Sequence, residues 1–240
     1  ALEAQRRGYR MYYYETKSLT FENGKVYSFC QEVVFYENRK KYYSIIDSKK
    51  IDLSKTKFIL MRQNPPFNMN YITATFLLEK ISKQTQVVND PSAVRNMPEK
   101  LHSIEFLKLM PATIFTRSID AIDKFRKKHK KIVIKPTHGY GGKNILFVDQ
   151  RSKGRKILNY INQHDQVMVQ RFLPGIKQGD KRIFIIGGVI KGAIRRIPKR
   201  GSIISNIGQG GMPNKTTLTK QEIKIAKIVA NNLKKNKIVF

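Results

Sequence analysis

The segment KPTHGYGG, residues 135–142, places a lysine at the end of an apolar run and then three glycines within four positions. Glycine lets a backbone approach a ligand closely and adopt positive φ, so a loop of bare amides can cradle phosphate groups. The lysine adds a positive charge at the start of the same loop. The segment therefore predicts a polyphosphate site, provided that the neighbouring elements position it correctly.

Neither of two familiar phosphate loops fits this segment. A Walker loop needs Gly-Lys followed by Ser or Thr at the start of a helix, whereas Gly142-Lys143 precedes Asn144 and a strand-like apolar run. Asn144 also stands in place of the third glycine of the dinucleotide fingerprint. Two interpretations stay open on these residues alone: a lid that folds over a triphosphate while Lys135 reaches it from the side, or an ordinary glycine-rich hairpin turn.

The first hundred residues alternate between strand and helix patterns. Asn23-Gly24 is a hairpin signal, and Asn70 is a candidate N-cap for a helix whose apolar face reaches Ile81. The predicted strands are residues 9–14, 19–21, 26–29, 57–61 and 86–89. We therefore predict an open α/β sheet that ends at a boundary in residues 90–98, which contain two prolines.

The rest of the chain also mixes helices and strands. The predicted helices are 99–109, 118–128, 152–162 and one that begins at a capping box of Thr219 and Glu222. The predicted strands are 112–116, 131–135, 144–149, 167–172, 182–187 and 189–197, the last two joined by Gly187-Gly188. No fixed-period repeat is visible, which excludes the solenoid class.

The charge balance is strongly basic, with 47 Lys plus Arg against 17 Asp plus Glu and a formal net charge of +30. Such an excess raises nucleic-acid binding or attraction to anionic membranes as a hypothesis. The alternative is a solvated surface, because the basic residues are scattered and their clusters at 127–131 and 234–237 fall at predicted helix ends. Zinc-finger spacing, a basic zipper and an aromatic RNA-binding signature are all absent from the sequence.

Other sequence features limit the class of protein. No apolar run reaches the roughly 18 residues that a membrane span needs, and the first residues lack the order of a signal peptide. We therefore expect a cytoplasmic protein without a membrane partner. The single cysteine, Cys30, excludes an internal disulfide and a multi-cysteine zinc site.

Several blocks in order resemble one family. The runs ILMRQNPPFNMNYITATFLLE, NDPSAVRNMPEKL, IVIKPTHGYGGKNILFV, MVQRFLPGIKQGDKRIFIIGG and IRRIP are similar to the prokaryotic glutathione synthetase family of ATP-grasp ligases, over nearly the whole chain. The resemblance implies an α/β protein that is α+β in the part that grips the nucleotide. It implies an N-terminal α/β domain at residues 1–96, a lid-bearing ATP-grasp subdomain at 97–166 and a C-terminal ATP-grasp subdomain at 167–240, with the last strands missing.

The resemblance also implies a set of site residues. Arg182 and Arg196 would be catalytic, and a guanidinium suits this work because it can hold two oxygens at once. The nucleotide would be bound by Lys100, Lys135, Gly139, Tyr140, Gly141, Gly142, Gln170, Phe172, Leu173 and Asp180, with residues 170–173 flanking adenine largely through backbone groups. A mobile loop over the reaction would carry Asn206, Gly210 and Gly211.

The implied reaction is an ATP-dependent ligation. The γ-phosphate of ATP moves to the glycine-side carboxylate of γ-glutamylcysteine, and the amine of glycine attacks the acyl phosphate to give glutathione, ADP and phosphate. Charge accumulates on the transferring oxygens, so Arg and Lys donors with Mg²⁺ would supply most of the stabilisation. No covalent nucleophile is required.

Two departures from the family pattern affect the expected activity. The chain opens inside a helical pattern and closes on the strand-like Ile238-Val239-Phe240, so we expect a fragment cut at both ends. The family's Mg²⁺ ligands would follow residue 240, so no metal ligand is predicted, and the fragment is expected to bind nucleotide poorly and to turn over little. In the mobile loop, Ile204 stands where the family often has an arginine, although Arg200 is nearby.

Two alternatives to this function stay open. One is another ATP-grasp ligase that joins a different carboxylate and amine. The other, from a different class, is a basic nucleic-acid-binding module. The favoured reading implies small-molecule substrates, no specific nucleic acid and a possible homo-oligomer.

Overall fold

The computed structural model of the chain describes residues 1–38 and 40–240. These residues form two compact units, Ala1–Arg95 and Asn96–Phe240. Among the residues described, none of the helices combines the length and the apolar character that crossing a bilayer requires.

The first unit is built mainly on an antiparallel sheet. Its elements are α1 (Leu2–Arg6), β1 (Met11–Tyr13), β2 (Thr20–Glu22), β3 (Lys25–Phe35), β4 (Tyr43–Asp52), β5 (Phe58–Leu60), α2 (Met69–Lys80), β6 (Gln86–Val88) and α3 (Pro91–Asn96), with single 3-10 turns at Thr16–Ser18 and Leu53–Lys55. The long strand β3 pairs with β1, β2 and β4, all antiparallel. The short strands β5 and β6 pair with each other in parallel, and α2 lies between them in the sequence. This is the strand–helix–strand unit of an α/β sheet.

Burial alternates along the first half of β3, as expected for a strand with one face on a core. Val26 and Cys30 lie in that core with Leu78 and Ile81 from the region of α2. The predicted hairpin at Asn23-Gly24 is confirmed, because Glu22 pairs with Lys25 across it.

Two features of this unit differ from the sequence predictions. The N-cap of α2 is Asn68 and not Asn70, since Asn68 Oδ1 accepts a hydrogen bond from Tyr71 N at 3.1 Å. Both asparagines can cap a helix, and the apolar pattern does not choose between them. Strand β4 was not predicted, because a mostly exposed edge strand has no alternation of apolar and polar residues.

The second unit contains two further sheets. Its elements are β7 (Thr113–Thr116), α4 (Ile119–His129), β8 (Ile132–Pro136), β9 (Leu146–Val148), α5 (Gly154–Gln163), β10 (Val167–Arg171), β11 (Asp180–Ile186), β12 (Val189–Ile197), β13 (Met212–Lys215) and α6 (Lys220–Lys235). Turns of 3-10 helix lie at His102–Leu109, Pro174–Gln178 and Ile207–Gln209. The predicted regular helix at 99–109 is therefore a 3-10 segment, with non-helical backbone angles at Phe106.

One antiparallel sheet has the strand order β7-β10-β8-β9. Its strands place alternate side chains on opposite faces. One face packs on α4 and α5 in a core that includes Ile134 and Val169 from the sheet and Ile122 and Ile157 from the helices. The residues between these core positions, among them Lys135 and Gln170, consequently project from the other face.

The other sheet of this unit is the antiparallel meander β11-β12-β13. Helix α6 packs against β11 and β12, and it begins with the predicted capping box. Thr219 Oγ1 accepts from Glu222 N at 3.2 Å, while Glu222 Oε2 accepts from Thr219 N at 2.7 Å. Strand β13 was not predicted, because its four residues, MPNK, are all exposed and contain one large apolar side chain.

Candidate functional site

Two adjoining clefts in the second unit collect most of the predicted site residues. Cleft A has a volume of about 260 Å³ and is lined by Glu99, Lys100, Lys135, Pro136, Gly139, Tyr140, Gly141, Gly142, Lys143, Ile145, Arg182, Arg196 and Asn206. Cleft B has a volume of about 240 Å³ and is lined by Pro111, Val133, Lys135, Ile145, Gln170, Arg171, Phe172, Leu173, Ile176, Asp180, Ile203, Ile204, Ser205 and Asn206. Lys135, Ile145 and Asn206 line both clefts, so the two spaces meet at these side chains.

The two predicted lysines share cleft A. Lys100 Nζ donates a hydrogen bond to the Gly139 carbonyl and lies 3.4 Å from Glu99 Oε1. Lys135 Nζ donates to Gln170 Oε1 at 2.7 Å. Burial lowers the pKa of Lys135, and the positive charge of Lys100 lowers it further, while Glu99 opposes the shift. Lys100 therefore raises the cost of the positive charge on Lys135 in cleft A, and an anionic ligand would relieve that cost.

The glycine loop joins β8 to β9 as the sequence analysis expected. Gly141 and Gly142 have φ values of 66° and 76°, which glycine adopts without steric cost. A β-carbon added at Gly142 would lie 2.5 Å from Asn206 Oδ1 and 2.8 Å from Ile204 Cγ2, whereas one added at Gly141 would meet no atom within 4 Å. The loop thus packs closely on the segment 204–206 at Gly142 and is open at Gly141.

The two predicted catalytic arginines differ in their partners. Arg196 donates to Asp180 twice, from Nε to Oδ1 at 2.8 Å and from Nη2 to Oδ2 at 2.7 Å. Arg182 is exposed on β11, and no carboxylate of the described residues lies within ion-pair distance of it. Asp180, predicted to bind the nucleotide, is consequently occupied by Arg196.

Cleft B is largely apolar. Phe172 lies edge-on to Phe147 with ring centroids 5.0 Å apart, and the other apolar lining side chains include Val133, Ile145 and Leu173. The amide of Phe172 donates to the Lys131 carbonyl at 2.9 Å. In the part of the chain that the structure describes, the Leu173 amide donates no backbone hydrogen bond, and Leu173 lines the cleft.

The predicted mobile loop is only partly in the clefts. Asn206 lines both, but neither Gly210 nor Gly211 lines either. The loop folds back on itself, because Gly211 N donates to the Asn206 carbonyl at 3.0 Å. A β-carbon at Gly211 would lie 2.1 Å from the Ser205 carbonyl oxygen, so this glycine allows the close approach of two backbone segments.

Several lining residues were not predicted. Lys143 and Glu99 add a positive and a negative charge to cleft A, and both stand next to predicted residues in the sequence. Thr113 lines neither cleft and was not predicted either, but its Oγ1 accepts from Gln170 Nε2 at 2.9 Å. The pairing of β7 with β10 brings them together, which no local pattern could indicate. Arg200, near the departure at Ile204, lines neither cleft.

The described residues contain no cluster of three or more His, Cys, Asp or Glu side chains that could hold a metal ion. The carboxylates of the two clefts are Glu99 and Asp180, and each lies beside a cation. The described part of the chain therefore does not supply a complete site for Mg²⁺.

Comparison with known proteins identifies relatives along the full length. Residues 1–95 match the model of the prokaryotic glutathione synthetase N-terminal domain, and residues 99–240 match that of the prokaryotic glutathione synthetase ATP-grasp domain. The chain is 36% identical to the glutathione synthetase of Agrobacterium fabrum, covering 100% of this chain and 76% of that protein. It is 38% identical to that of Mesorhizobium japonicum and 36% identical to that of Vibrio parahaemolyticus, covering 78% and 77% of those proteins.

Solved structures with a similar fold confirm the predicted fold class. An ATP-grasp ligase of Chryseobacterium gregarium, solved with ADP and with a leader and core peptide, aligns over 96% of this chain and 71% of its own with a TM-score of 0.56 and 18% identity. D-cycloserine synthetase aligns over 75% of this chain and 66% of its own with a TM-score of 0.55 and 16% identity. At these identities the likeness shows the fold alone.

Proposed function

The chain belongs to the prokaryotic glutathione synthetase family, and on that premise we propose that clefts A and B bind ATP and carry out the ATP-dependent joining of γ-glutamylcysteine to glycine. The products are glutathione, ADP and phosphate. The ligase class follows from the family, while the substrates and the residue roles are the content of the proposal.

The observation that carries the proposal is the charge of cleft A. Five cationic side chains line it, namely Lys100, Lys135, Lys143, Arg182 and Arg196, against the single carboxylate of Glu99. The triphosphate of ATP carries several negative charges, so it complements this set far better than a neutral ligand would. A β-carbon at Gly141 would meet no atom within 4 Å, so a phosphate could approach the backbone closely there.

Cleft B supports the same ligand because it continues from cleft A and changes from charged to apolar. Adenine is flat, and its edge carries both donors and acceptors. We propose that the adenine ring lies between the side chains of Val133, Ile145 and Phe172, and that the Leu173 amide donates to the edge of the ring. Lys135 stands where the two clefts meet, which is the position that joins the adenosine end to the phosphates.

The chemistry asks this chain mainly to hold and stabilise charge. ATP supplies the phosphoryl group that converts the peptide carboxylate into an acyl phosphate. Lys100 and Lys135 would neutralise the phosphate oxygens. Arg182, which has no acidic partner among the residues described, would bind the oxygens that gain charge as the group moves. Arg196, fixed by Asp180, would present its remaining N–H groups to the substrate.

In the second half of the reaction, the glycine nitrogen forms a bond to the activated carbon while the bond from that carbon to the phosphate oxygen breaks. The amine loses a proton, and phosphate leaves. Asn206 and the glycine loop would exclude water from the acyl phosphate, because both close the same cleft. The described residues do not fit a Mg²⁺ site, so no step is assigned to the metal.

The proposal has further parts, which follow from the family and from the sequence. They are the domain bounds 1–96, 97–166 and 167–240, a cytoplasmic location, the substrate-loop role of Asn206, Gly210 and Gly211, and a possible homo-oligomer. We propose no nucleic-acid or membrane partner.

The test is a phosphate-release assay on the natural protein in full. We expect release from ATP only when γ-glutamylcysteine and glycine are both present, and glutathione formed in equal amount. Release with either substrate alone at the same rate would contradict the proposal. A panel of other dipeptides and amines distinguishes the nearest alternative, a different carboxylate–amine ligase, since that enzyme would prefer another pair.

A further inference from the structure

Three side chains on the cleft face of the first sheet of the second unit form a chain of hydrogen bonds. Gln170 on β10 stands directly opposite Thr113 on β7. On the other side, Lys135 pairs with Met168, two residues before Gln170 on the same face. The distances are 2.7 Å from Lys135 Nζ to Gln170 Oε1 and 2.9 Å from Gln170 Nε2 to Thr113 Oγ1.

The direction of each hydrogen bond follows from the chemistry of the groups. Thr113 Oγ1 lies 2.7 Å from the Pro111 carbonyl, which can only accept, so the hydroxyl proton must point there. The hydroxyl oxygen is then left to accept, and it accepts from the amide nitrogen of Gln170. The amide oxygen of Gln170 must therefore face the ammonium group of Lys135, which can only donate.

We propose that Gln170 and Thr113 are positioning residues that hold the Lys135 ammonium at the junction of clefts A and B, Thr113 by fixing the orientation of the Gln170 amide. Gln170 is 8% exposed, so its amide has little access to water and depends on these two partners. The effect on nucleotide affinity rests on the proposed function, whereas the effect on Lys135 itself does not.

A neutral partner suits a lysine that binds an anion. A lysine side chain loses much rotamer freedom when it is held in one place, and an acceptor that holds it before the ligand arrives removes that cost from binding. A carboxylate would hold it as well but would cancel its charge. The Gln170 amide fixes Nζ and leaves the full positive charge for phosphate.

Other charged groups lie near Lys135, and some of them affect its pKa. Lys100, Lys143, Arg182, Arg196 and Glu99 line cleft A with it, and Arg171 and Asp180 line cleft B with it. Among these groups, Lys100 disfavours its charge and Glu99 favours it. Burial and Lys100 already lower the pKa of Lys135. Loss of the Gln170 acceptor should lower this pKa further, and a carboxylate at position 170 should raise it.

The first arm of the test needs no nucleotide. The pKa of Lys135 is followed by NMR of its ε-methylene group in protein with ¹³C-labelled lysine, in the wild type and in Thr113→Val, Thr113→Ser and Gln170→Glu. We expect Thr113→Val to lower the pKa, Thr113→Ser to preserve it, and Gln170→Glu to raise it. Valine is close in shape to threonine, so Thr113→Val should fold. If Thr113→Val does not fold, Gln170→Glu tests whether residue 170 contacts the Lys135 ammonium.

The second arm measures ADP affinity by calorimetry in the same proteins. We expect Thr113→Val and Gln170→Glu to weaken binding by about three- to tenfold, the range of one ordinary hydrogen bond, and Thr113→Ser to bind like the wild type. If the pKa of Lys135 in folded Thr113→Val and in Gln170→Glu equalled the wild-type value, the inference would be overturned. If the wild type bound no ADP, the proposed function would fail, and the pKa arm alone would still decide the role of these residues.

Discussion

Arg196 and Asp180 form a two-point ion pair across the paired strands β11 and β12, with both N–O distances below 3 Å. Gly179, just before Asp180, has a φ of 92°, and a β-carbon there would lie 2.6 Å from the Arg196 carbonyl oxygen. The backbone thus brings the carboxylate against the guanidinium only because position 179 is glycine. Arg196, which lines cleft A, is therefore held in place by Asp180.

We predict a measurable coupling between these two residues. In a double-mutant cycle with Asp180→Asn and Arg196→Gln, the coupling in the free energy of unfolding should be about 1 kcal/mol, because the geometry is bidentate and Arg196 is mostly buried while Asp180 is partly exposed. Urea denaturation measures it. The same cycle with Arg195→Gln is the control and should show none. If the coupling energy were the same in the two cycles, the Asp180–Arg196 ion pair would not contribute specifically to stability.

The glycine loop offers a matched pair of substitutions. Gly141 and Gly142 both have positive φ, so alanine at either position is strained by a similar amount, of order 1–3 kcal/mol. Only at position 142 does the new methyl group also meet Asn206 and Ile204. We therefore expect Gly142→Ala to weaken ADP binding and lower stability clearly more than Gly141→Ala does. Equal effects in calorimetry and urea denaturation would mean that the loop does not pack on segment 204–206 in solution.

The capping box of α6 should make stability depend on pH. The pKa of Glu222 lies below its ordinary value of 4.5, first because Lys181 donates to it and second because the Thr219 amide does. A carboxylate with a depressed pKa stabilises the fold fully above pH 4.5, and the stabilisation is lost as the pH falls through the lower folded value.

Urea midpoints measured from pH 6 down to about pH 3 test this linkage. We expect Glu222→Gln to be less stable than the wild type at pH 6 and to lose less stability on acidification. Glu105→Gln, which replaces an exposed carboxylate elsewhere in the same unit, is the control and should keep the wild-type slope. A Glu222→Gln slope that matches the wild type would show that the capping box carries no such linkage.

The net charge of +30 predicts a separate, salt-dependent effect. We expect duplex DNA to bind weakly at low salt, with an affinity that falls steeply as salt rises, and not to displace ADP at about 150 mM salt. Fluorescence anisotropy with labelled DNA and unlabelled ADP measures both. DNA that displaced ADP at 150 mM salt would favour the nucleic-acid-binding alternative.

Local sequence signals were sufficient for parts of this structure. The glycine loop at 139–142, with positive φ at Gly141 and Gly142, and the capping box are each encoded within a few residues, and both lie where they were predicted. The choice between Asn68 and Asn70 as a cap was not encoded locally, because either residue type is suitable. Strand β4 was missed because an exposed edge lacks the alternation that marks a half-buried strand.

The site likewise contains residues that the sequence predicts and residues that it does not. Lys135 and the glycines are adjacent in sequence, and the ordered blocks of the family led to Lys100, Arg182 and Arg196, which the structure brings into one cleft. Thr113 could not be found, because its contact with Gln170 depends on which strands pair and in what register. The ion pair of Asp180 with Arg196 could not be predicted for the same reason, because it depends on the register of β11 and β12.

The central claim is that Lys135 and the glycine loop form a nucleotide site, and calorimetric titration with ADP or a non-hydrolysable ATP analogue tests it most directly. We predict saturable binding, at least tenfold weaker in Lys135→Ala, a loss of about 1.4 kcal/mol or more, and unchanged in Lys191→Ala, an exposed strand lysine that lines neither cleft. Binding that is absent from the wild type, or equal in wild type and Lys135→Ala, would contradict the account.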